Sequence, residues 1–287
     1  MPENGGGGRE KTSALQAMKR AGEKIAVLTC YDYPTAVWQE EAGMDVIFVA
    51  DSVGTNLLGY GDEREVTMDD MIHHLKAVRR GVKHTYLLAD MPFGSCETPA
   101  AAVENALRFI DLGADGVKLE GYKVEAVSAL AKRDIDTWAH LGLNPQIHDG
   151  RRLKARTAPA AARLAKRAWS LQEAGASFIV LELIPEEVGT LVTRRLTIPT
   201  IGIAAGRFTD GQVLVVTDVL GMGDREFRHV ARYAEFSAVG KEALKRYVAD
   251  VRLGTFPSEG QVQHLSAQEQ ASLEAEEGGG AFAGGPK

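Results

Sequence analysis

Four consecutive pieces of residues 66–121 decide the fold: VTMDDMIHHLKAVRRG (66–81), TYLLADMPF (85–93), TPAAAVENALRFIDLGA (98–114) and GVKLEG (116–121). The first and third read as helices. Thr67 stands as N-cap with Asp70 three residues on, and Met68, Met71, Ile72, Leu75 and Val78 recur at helical spacing. Thr98 opens the other helix, Pro99 takes its first position and Gly113 stops it. The second and fourth pieces are short and continuously apolar, the pattern of strands covered on both faces in a parallel sheet.

Six more such runs extend the pattern: KIAVLTCYD (24–32), DVIFVADS (45–52), DTWAHLGL (136–143), SFIVLELIP (177–185), TIPTIGIAAG (197–206) and QVLVVTDVLG (212–221). Another helix, TAPAAARLAKRAWSLQEAGA (157–176), is opened by Thr157 and closed by Gly175. The gap between the seventh and eighth runs is too short for a full helix. SALQAMKRAG (13–22) reads as an extra helix placed to cap a barrel bottom. Eight strands alternating with helices predict an α/β fold, a (β/α)8 TIM barrel in one domain with an N-terminal capping helix. An open doubly wound sheet is the alternative, weakened because no GxGxxG follows the first run. The expected boundaries are a flexible tail over 1–12, the barrel over 13–257 and a polar extension over 258–287. In that extension Ser266 and Glu269 start at most a short, loosely held helix.

The 287 residues are 45% hydrophobic and 25% charged, the composition of a soluble globular protein. A net charge of -6, from 33 basic and 39 acidic residues, argues against nucleic acid or an anionic membrane as partner. No apolar run approaches the ~18 residues of a membrane span. The opening MPENGGGGREK lacks the apolar stretch of a signal peptide. Cys30 and Cys96, the only cysteines, are too few for a disulfide framework or a cysteine-built zinc site. The expectation is a cytoplasmic protein.

Barrel enzymes work at the C-terminal ends of their strands. Five runs carry an ionisable residue there: Asp51, Asp90, Glu120, His140 and Glu182. One such carboxylate is usually a cap or loop residue; five in one register point to a site. Asp32 closes the first run and Asp218 lies late in the last. The oxygen-rich set Asp51, Asp90 and Glu120 suits Mg²⁺ better than Zn²⁺. Lys118, two residues before Glu120, shares its face of the strand. It is a partner for a substrate carboxylate, a balance to the acids, or less fittingly a Schiff-base lysine. Glu182, expected among apolar neighbours, suits general-base work, with pairing to Arg207 as the alternative. His140 is either a donor to a substrate oxygen or a satisfied core histidine.

In this context TCYDYPTA (29–36), VADSVG (49–54), LLADMPF (87–93), VKLEG (117–121), HLGLNPQ (140–146), IVLELIP (179–185) and IPTIGIAAG (198–206) with TDGQ (209–212) resemble, in order, the motifs of the ketopantoate hydroxymethyltransferase family. The resemblance runs from about Ala14 to Pro257. It implies a Mg²⁺-dependent enzyme of pantothenate and coenzyme A biosynthesis, usually a cytoplasmic homodecamer. Such an enzyme moves a one-carbon unit from 5,10-methylenetetrahydrofolate to 3-methyl-2-oxobutanoate. Carried over by motif, the metal ligands are Asp51 and Asp90, with Glu120 close to the metal or holding one of its waters. The 2-oxo-acid contacts are Asp51, Ser52, Asp90 and Lys118, with His140 near the substrate oxygens and Glu182 as proton acceptor.

Two departures stand out. The glycine-rich GGYKVQGR-type loop of the family is replaced by IHDGRRLKARTAP (147–159), shorter and more basic. Arg151, Arg152, Lys154 and Arg156, against Asp149, make either a solvated loop or a guide for the anionic tail of folate. The family's GIGAG reads GIAAG here, with Ala204 narrowing one spot. The alternatives are a Mg²⁺-enolate enzyme of the phosphoenolpyruvate mutase and isocitrate lyase type, or a non-catalytic metabolite-binding barrel. The first lacks its KKCGH-type loop; the second predicts loss of an acid or of Lys118, and all are present.

Overall fold

The computed structural model describes residues 7–147, 150, 152–223 and 226–278. The chain divides into two compact units, one ending at Ala234 and the other starting at Glu235. The first holds eight parallel strands closed into a barrel in sequence order, as the alternating pattern predicts. They are β1 (Ile25–Thr29), β2 (Val46–Val49), β3 (Tyr86–Asp90), β4 (Gly116–Glu120), β5 (Asp136–Gly142), β6 (Phe178–Glu182), β7 (Thr200–Ile203) and β8 (Gly211–Leu214). The closing pair sets Val27 beside Val213. β2, β3 and β4 are buried at every position, which is why they read as unbroken apolar runs.

The helices are α1 (Gly7–Ala21), α2 (Tyr33–Glu41), α3 (Met68–Gly81), α4 (Pro99–Asp111), α5 (Val124–Ala131), α6 (Ala158–Glu173) and α7 (Glu186–Arg195). Thr67 and Asp70 form the expected capping box on α3. Thr98 and Thr157 each cap the N–H three residues on. Asp32, the acid that closes the first apolar run, serves as N-cap of α2. No helix separates β7 from β8. The last run departs from expectation after Leu214: Val216–Val219 form a one-turn helix, α8, whose first N–H donates to Thr29 Oγ1 at 2.9 Å.

α1 begins at Gly7, ahead of the expected boundary at 13, because residues 11 and 12 already bind the barrel. Lys11 Nζ reaches Asp115 Oδ2 at 2.8 Å and Thr85 O at 3.1 Å, and Thr12 donates to Asp136. Lys19 Nζ meets Asp210 Oδ2 at 2.7 Å. These partners precede or start strands, so α1 closes the N-terminal end of the barrel. Just above it Tyr86, Trp138 and Phe178, near the starts of β3, β5 and β6, fill the interior, with the Trp138 and Phe178 rings stacked 4.2 Å apart. The other end is left for polar groups.

The second unit holds α9 (Phe236–Leu253) and α10 (Ala267–Gly278). The barrel domain was expected to run to 257; the compact unit that contains the barrel ends at Ala234, and among the described residues no strand follows β8. α10 is short and starts where expected, with Ser266 Oγ accepting from Glu269 N at 3.2 Å.

Candidate active site

Strand register brings the sequence-selected residues into one layer. Asp90 pairs with Lys118, Glu120 with His140, and Gly142 with Glu182. Asp51 and Ser52 follow β2 after Ala50. All seven line a single cavity at the C-terminal mouth, with about 1050 Å³ of free space including the part open to solvent. That is room for a small acid and part of a larger second molecule. Gly142 is needed here. Its φ is 105°, and a Cβ would stand 2.1 Å from the Glu182 carbonyl oxygen.

The charged groups form a connected row. Lys118 Nζ donates to Asp90 Oδ2 at 2.8 Å and to Glu120 Oε1 at 3.2 Å. His140 Nδ1 faces Glu120 Oε1 at 3.3 Å, and its Nε2 faces Glu182 Oε2 at 3.2 Å. Neither ring contact meets hydrogen-bond geometry, so the attraction there is mainly electrostatic. Asp51 N approaches Asp90 Oδ2 at 3.4 Å. Asp51, Asp90, Lys118, Glu120 and His140 are all buried.

Burial and the Asp90 charge push the Asp51 carboxyl well above the ordinary carboxylate range. Burial also raises Asp90, against the pull of Lys118. For Glu120 burial acts upward too, but Lys118 and His140 outweigh it and hold the group at about 2. Burial would strip Lys118 of its proton, yet Asp90, Glu120 and Asp51 together raise its pKa. His140 likewise sits above its usual value, since Glu120 and Glu182 overcome burial. The row therefore consists of a fixed ammonium–carboxylate pair, Lys118 and Glu120, flanked by two acids that lack enough positive charge.

That imbalance is the test for a divalent cation. Among the described residues no three His, Cys, Asp or Glu side chains converge on one metal position. Both Glu120 oxygens are engaged, Oε1 as above and Oε2 by Gln146 N at 3.0 Å. Asp90 Oδ1 is buried without a hydrogen-bond partner among the described residues. Asp51 and Asp90 thus fit a hard cation that takes one or two carboxylates and completes its shell with water and substrate oxygens, the habit of Mg²⁺. They do not fit a three-carboxylate cage.

Glu182 stands at the cavity edge. Apolar groups such as Val180, Leu183 and Ile203 share its cavity wall, as expected, yet its side chain is 19% exposed, so its carboxylate is open to whatever enters. Arg207, the alternative partner, binds Glu186 instead, at 2.7 and 2.9 Å. Ala204, on the cavity wall, has a φ of 51°. A left-handed alanine costs on the order of 1 kcal/mol, which explains why glycine is expected there.

Two further residues were not singled out in the sequence. Gln146, buried at the end of HLGLNPQ, donates through Nε2 to Asp51 Oδ2 at 2.7 Å and to Met91 O at 3.1 Å. Tyr31, fully buried, shares a 2.8 Å hydrogen bond with Ser52 Oγ. Their membership of quoted motifs was the only available signal, because neither residue type is charged. Of the basic loop, Arg152 and Arg156 are exposed and Lys154 is partly buried, whereas Asp149 and Arg151 lie outside the described residues.

The fold and the site define a (β/α)8 barrel with an acidic, lysine-bridged mouth. Solved structures share this fold at low sequence identity. Phosphonopyruvate hydrolase, determined with oxalate and Mg²⁺, aligns with a TM-score of 0.59 at 14% identity, covering 93% of this chain and 95% of that one. 2,3-Dimethylmalate lyase, of the PEP mutase/isocitrate lyase superfamily, aligns at 0.53 and 14%, covering 94% and 99%. The chain belongs to the ketopantoate hydroxymethyltransferase family, whose model matches residues 9–259. The 3-methyl-2-oxobutanoate hydroxymethyltransferase of Geobacillus kaustophilus is 43% identical over 264 residues, which cover 89% of this chain and 95% of that protein. Its namesake from Aeropyrum pernix is 43% identical over 262 residues, covering 89% and 96%.

Proposed function

We propose that this protein transfers a hydroxymethyl group from 5,10-methylenetetrahydrofolate to 3-methyl-2-oxobutanoate, giving 2-dehydropantoate for pantothenate and coenzyme A synthesis. The observation that carries the reading is the joining of Asp51, Asp90, Lys118, Glu120, His140 and Glu182 around one cavity, in a chain so similar to enzymes of that name.

Lys118, held charged by Glu120, supplies the positive group that a 2-oxo-acid carboxylate needs. Ser52, oriented by Tyr31, offers a hydroxyl beside it. Asp51 and Asp90 would hold Mg²⁺, which when bound draws electrons from the keto group and acidifies the hydrogen on C3. Glu182, at the open edge, takes that proton. His140, its Nε2 3.2 Å from Oε2, steadies the carboxylate by charge. The donor's methylene–N10 bond opens, and the C3 electron pair forms the new carbon–carbon bond to that methylene carbon, the proton taken by Glu182 passing to N10. Water then replaces N5 at the same carbon: its oxygen becomes the hydroxyl, its proton goes to N5, and tetrahydrofolate leaves. In this reading the working form is a cytoplasmic homodecamer. No helix among the described residues is long and apolar enough to cross a membrane.

The test is ketopantoate formation by purified protein from 3-methyl-2-oxobutanoate and 5,10-methylenetetrahydrofolate, with Mg²⁺ and with EDTA. Product only when folate donor and Mg²⁺ are both present is expected. Turnover of another 2-oxo acid without folate would overturn the reading in favour of the mutase and lyase type.

A further inference from the structure

A second cavity lies against the outer side of the segment that walls the active site. Residues 140–145 divide between the two spaces: His140, Leu143 and Pro145 line the mouth, whereas Leu141, Gly142 and Asn144 line the neighbouring groove. The floor of the groove is apolar, from Leu141, Ile147 and Leu164. Its rim is cationic. Arg163 and Arg167, four residues apart, lie on one face of α6, and Lys154 comes from the preceding loop. The Arg167 guanidinium stands 5.2 Å from the centre of the half-exposed Tyr122 ring, also on the rim.

Among the described residues no acid neutralises this arrangement. Neither Lys154 nor Arg163 has a carboxylate partner among the described residues, and the Arg167 guanidinium meets the Tyr122 ring. Like charges at this spacing on a helix oppose one another, so the arginine pair adds nothing to helix stability. The lysine is also held in place. Its N–H donates to Leu183 O at 2.9 Å, and the next residue, Ala155, takes the left-handed φ of 52°. The anchor, Leu183, directly follows Glu182 and lines the mouth, so the cationic rim is tied to the catalytic layer.

We infer that this groove binds the p-aminobenzoyl-glutamate end of the folate donor: its aromatic ring on the apolar floor and Tyr122, its glutamate carboxylates on Lys154, Arg163 and Arg167. The inference rests on the folate donor proposed above. An apolar trough with a cationic rim matches an aryl group that ends in carboxylates, and the shared wall sets this trough directly beside the mouth. The chemistry that the rim selects is anionic, so a phosphorylated metabolite is the other source, and the probes below separate the two.

The experiment measures binding of p-aminobenzoyl-triglutamate, which has no pterin and no one-carbon unit, to the full-length protein by calorimetry. Wild type is compared with Arg163→Ala/Arg167→Ala and with Lys154→Ala, alongside kinetics with mono- and triglutamyl donor. The expected result is probe binding in wild type, weakened about tenfold or more in each variant and weakened further by salt. KM for the triglutamyl donor should rise similarly, more than for the monoglutamyl form, with kcat within about twofold. C3 deuterium exchange of the 2-oxo acid, which needs no donor, should stay at the wild-type rate and so report an intact fold and base. Variants that keep wild-type probe affinity and donor KM would overturn the inference while leaving the proposed reaction standing. Inorganic pyrophosphate that outcompetes the probe would also overturn it and assign the rim to phosphate. Probe binding lost in the variants, in a protein that makes no ketopantoate from the folate donor, would support the groove and remove the reaction instead.

Discussion

Gln146 and Asp51, on loops that follow different strands, are joined by a 2.7 Å hydrogen bond from the amide Nε2 to the carboxylate Oδ2. The same Gln146 donates its backbone N–H to Glu120, so one buried amide residue fixes two acids. Truncation in Gln146→Ala leaves the buried Asp51 oxygen and the Met91 carbonyl without a donor. Expected is a loss of about 1–3 kcal/mol in unfolding free energy, with 2-oxo-acid affinity reduced by roughly tenfold. Denaturant titration and calorimetry measure both. Wild-type values for the two would show that Asp51 is positioned without it.

Asp51→Asn keeps the acceptor for Gln146 but removes a charge that burial and Asp90 already oppose. Mg²⁺-dependent transfer should disappear. The melting temperature in EDTA should equal or exceed that of wild type, and the rise that Mg²⁺ produces in wild type should be absent. A variant still stabilised by Mg²⁺ to the wild-type extent would remove Asp51 from the ligand set.

Glu182→Gln preserves shape at the cavity edge but accepts no proton. Turnover should fall by ~10²-fold or more, with C3 deuterium exchange falling in parallel and 2-oxo-acid binding retained. Exchange at the normal rate would assign the base elsewhere.

At the opposite end of the barrel, burial raises the Asp136 carboxyl to about 6, against hydrogen bonds from Ser177 and Tyr86. Its folded pKa lies above the unfolded value, so the folded state holds the proton more tightly. This contribution is favourable at low pH and is lost as pH rises from about 4 to about 6. Asp136→Asn removes the titration. The stability of the variant relative to wild type should therefore improve by roughly 2 kcal/mol between pH 4 and pH 7, measured by denaturant titration at each pH. A difference independent of pH would show that this carboxyl is ionised throughout.

How much of this was legible beforehand depends on how local each feature is. Fully buried strands such as β3, the Thr67–Asp70 capping box and the short β7–β8 gap follow from neighbouring residues, and they were readable as such. The end of β8 was not, because Val216 turns into α8 through a hydrogen bond to Thr29, far away in sequence. Nor was the start of α1, where Lys11 and Thr12 bind acids more than 100 residues distant in the chain.

The site divides along the same line. A charged residue that ends an apolar run is conspicuous in one dimension, so the sequence alone selected Asp51, Asp90, Lys118, Glu120, His140 and Glu182, and barrel closure implied that they meet. What each is free to do was settled only in three dimensions. Glu120 is spent on Lys118 and Gln146, Asp90 keeps one oxygen without a hydrogen-bond partner among the described residues, and Glu182 stands at the open edge. Likewise Lys154 was read only as part of a basic loop, solvated or guiding a folate tail, and Arg163 and Arg167 drew no notice until a loop and a helix set the three around one groove. Residue type is written locally, whereas the partner that neutralises a charge, or the lack of one, is a property of contacts between distant segments, and only the folded chain makes those contacts.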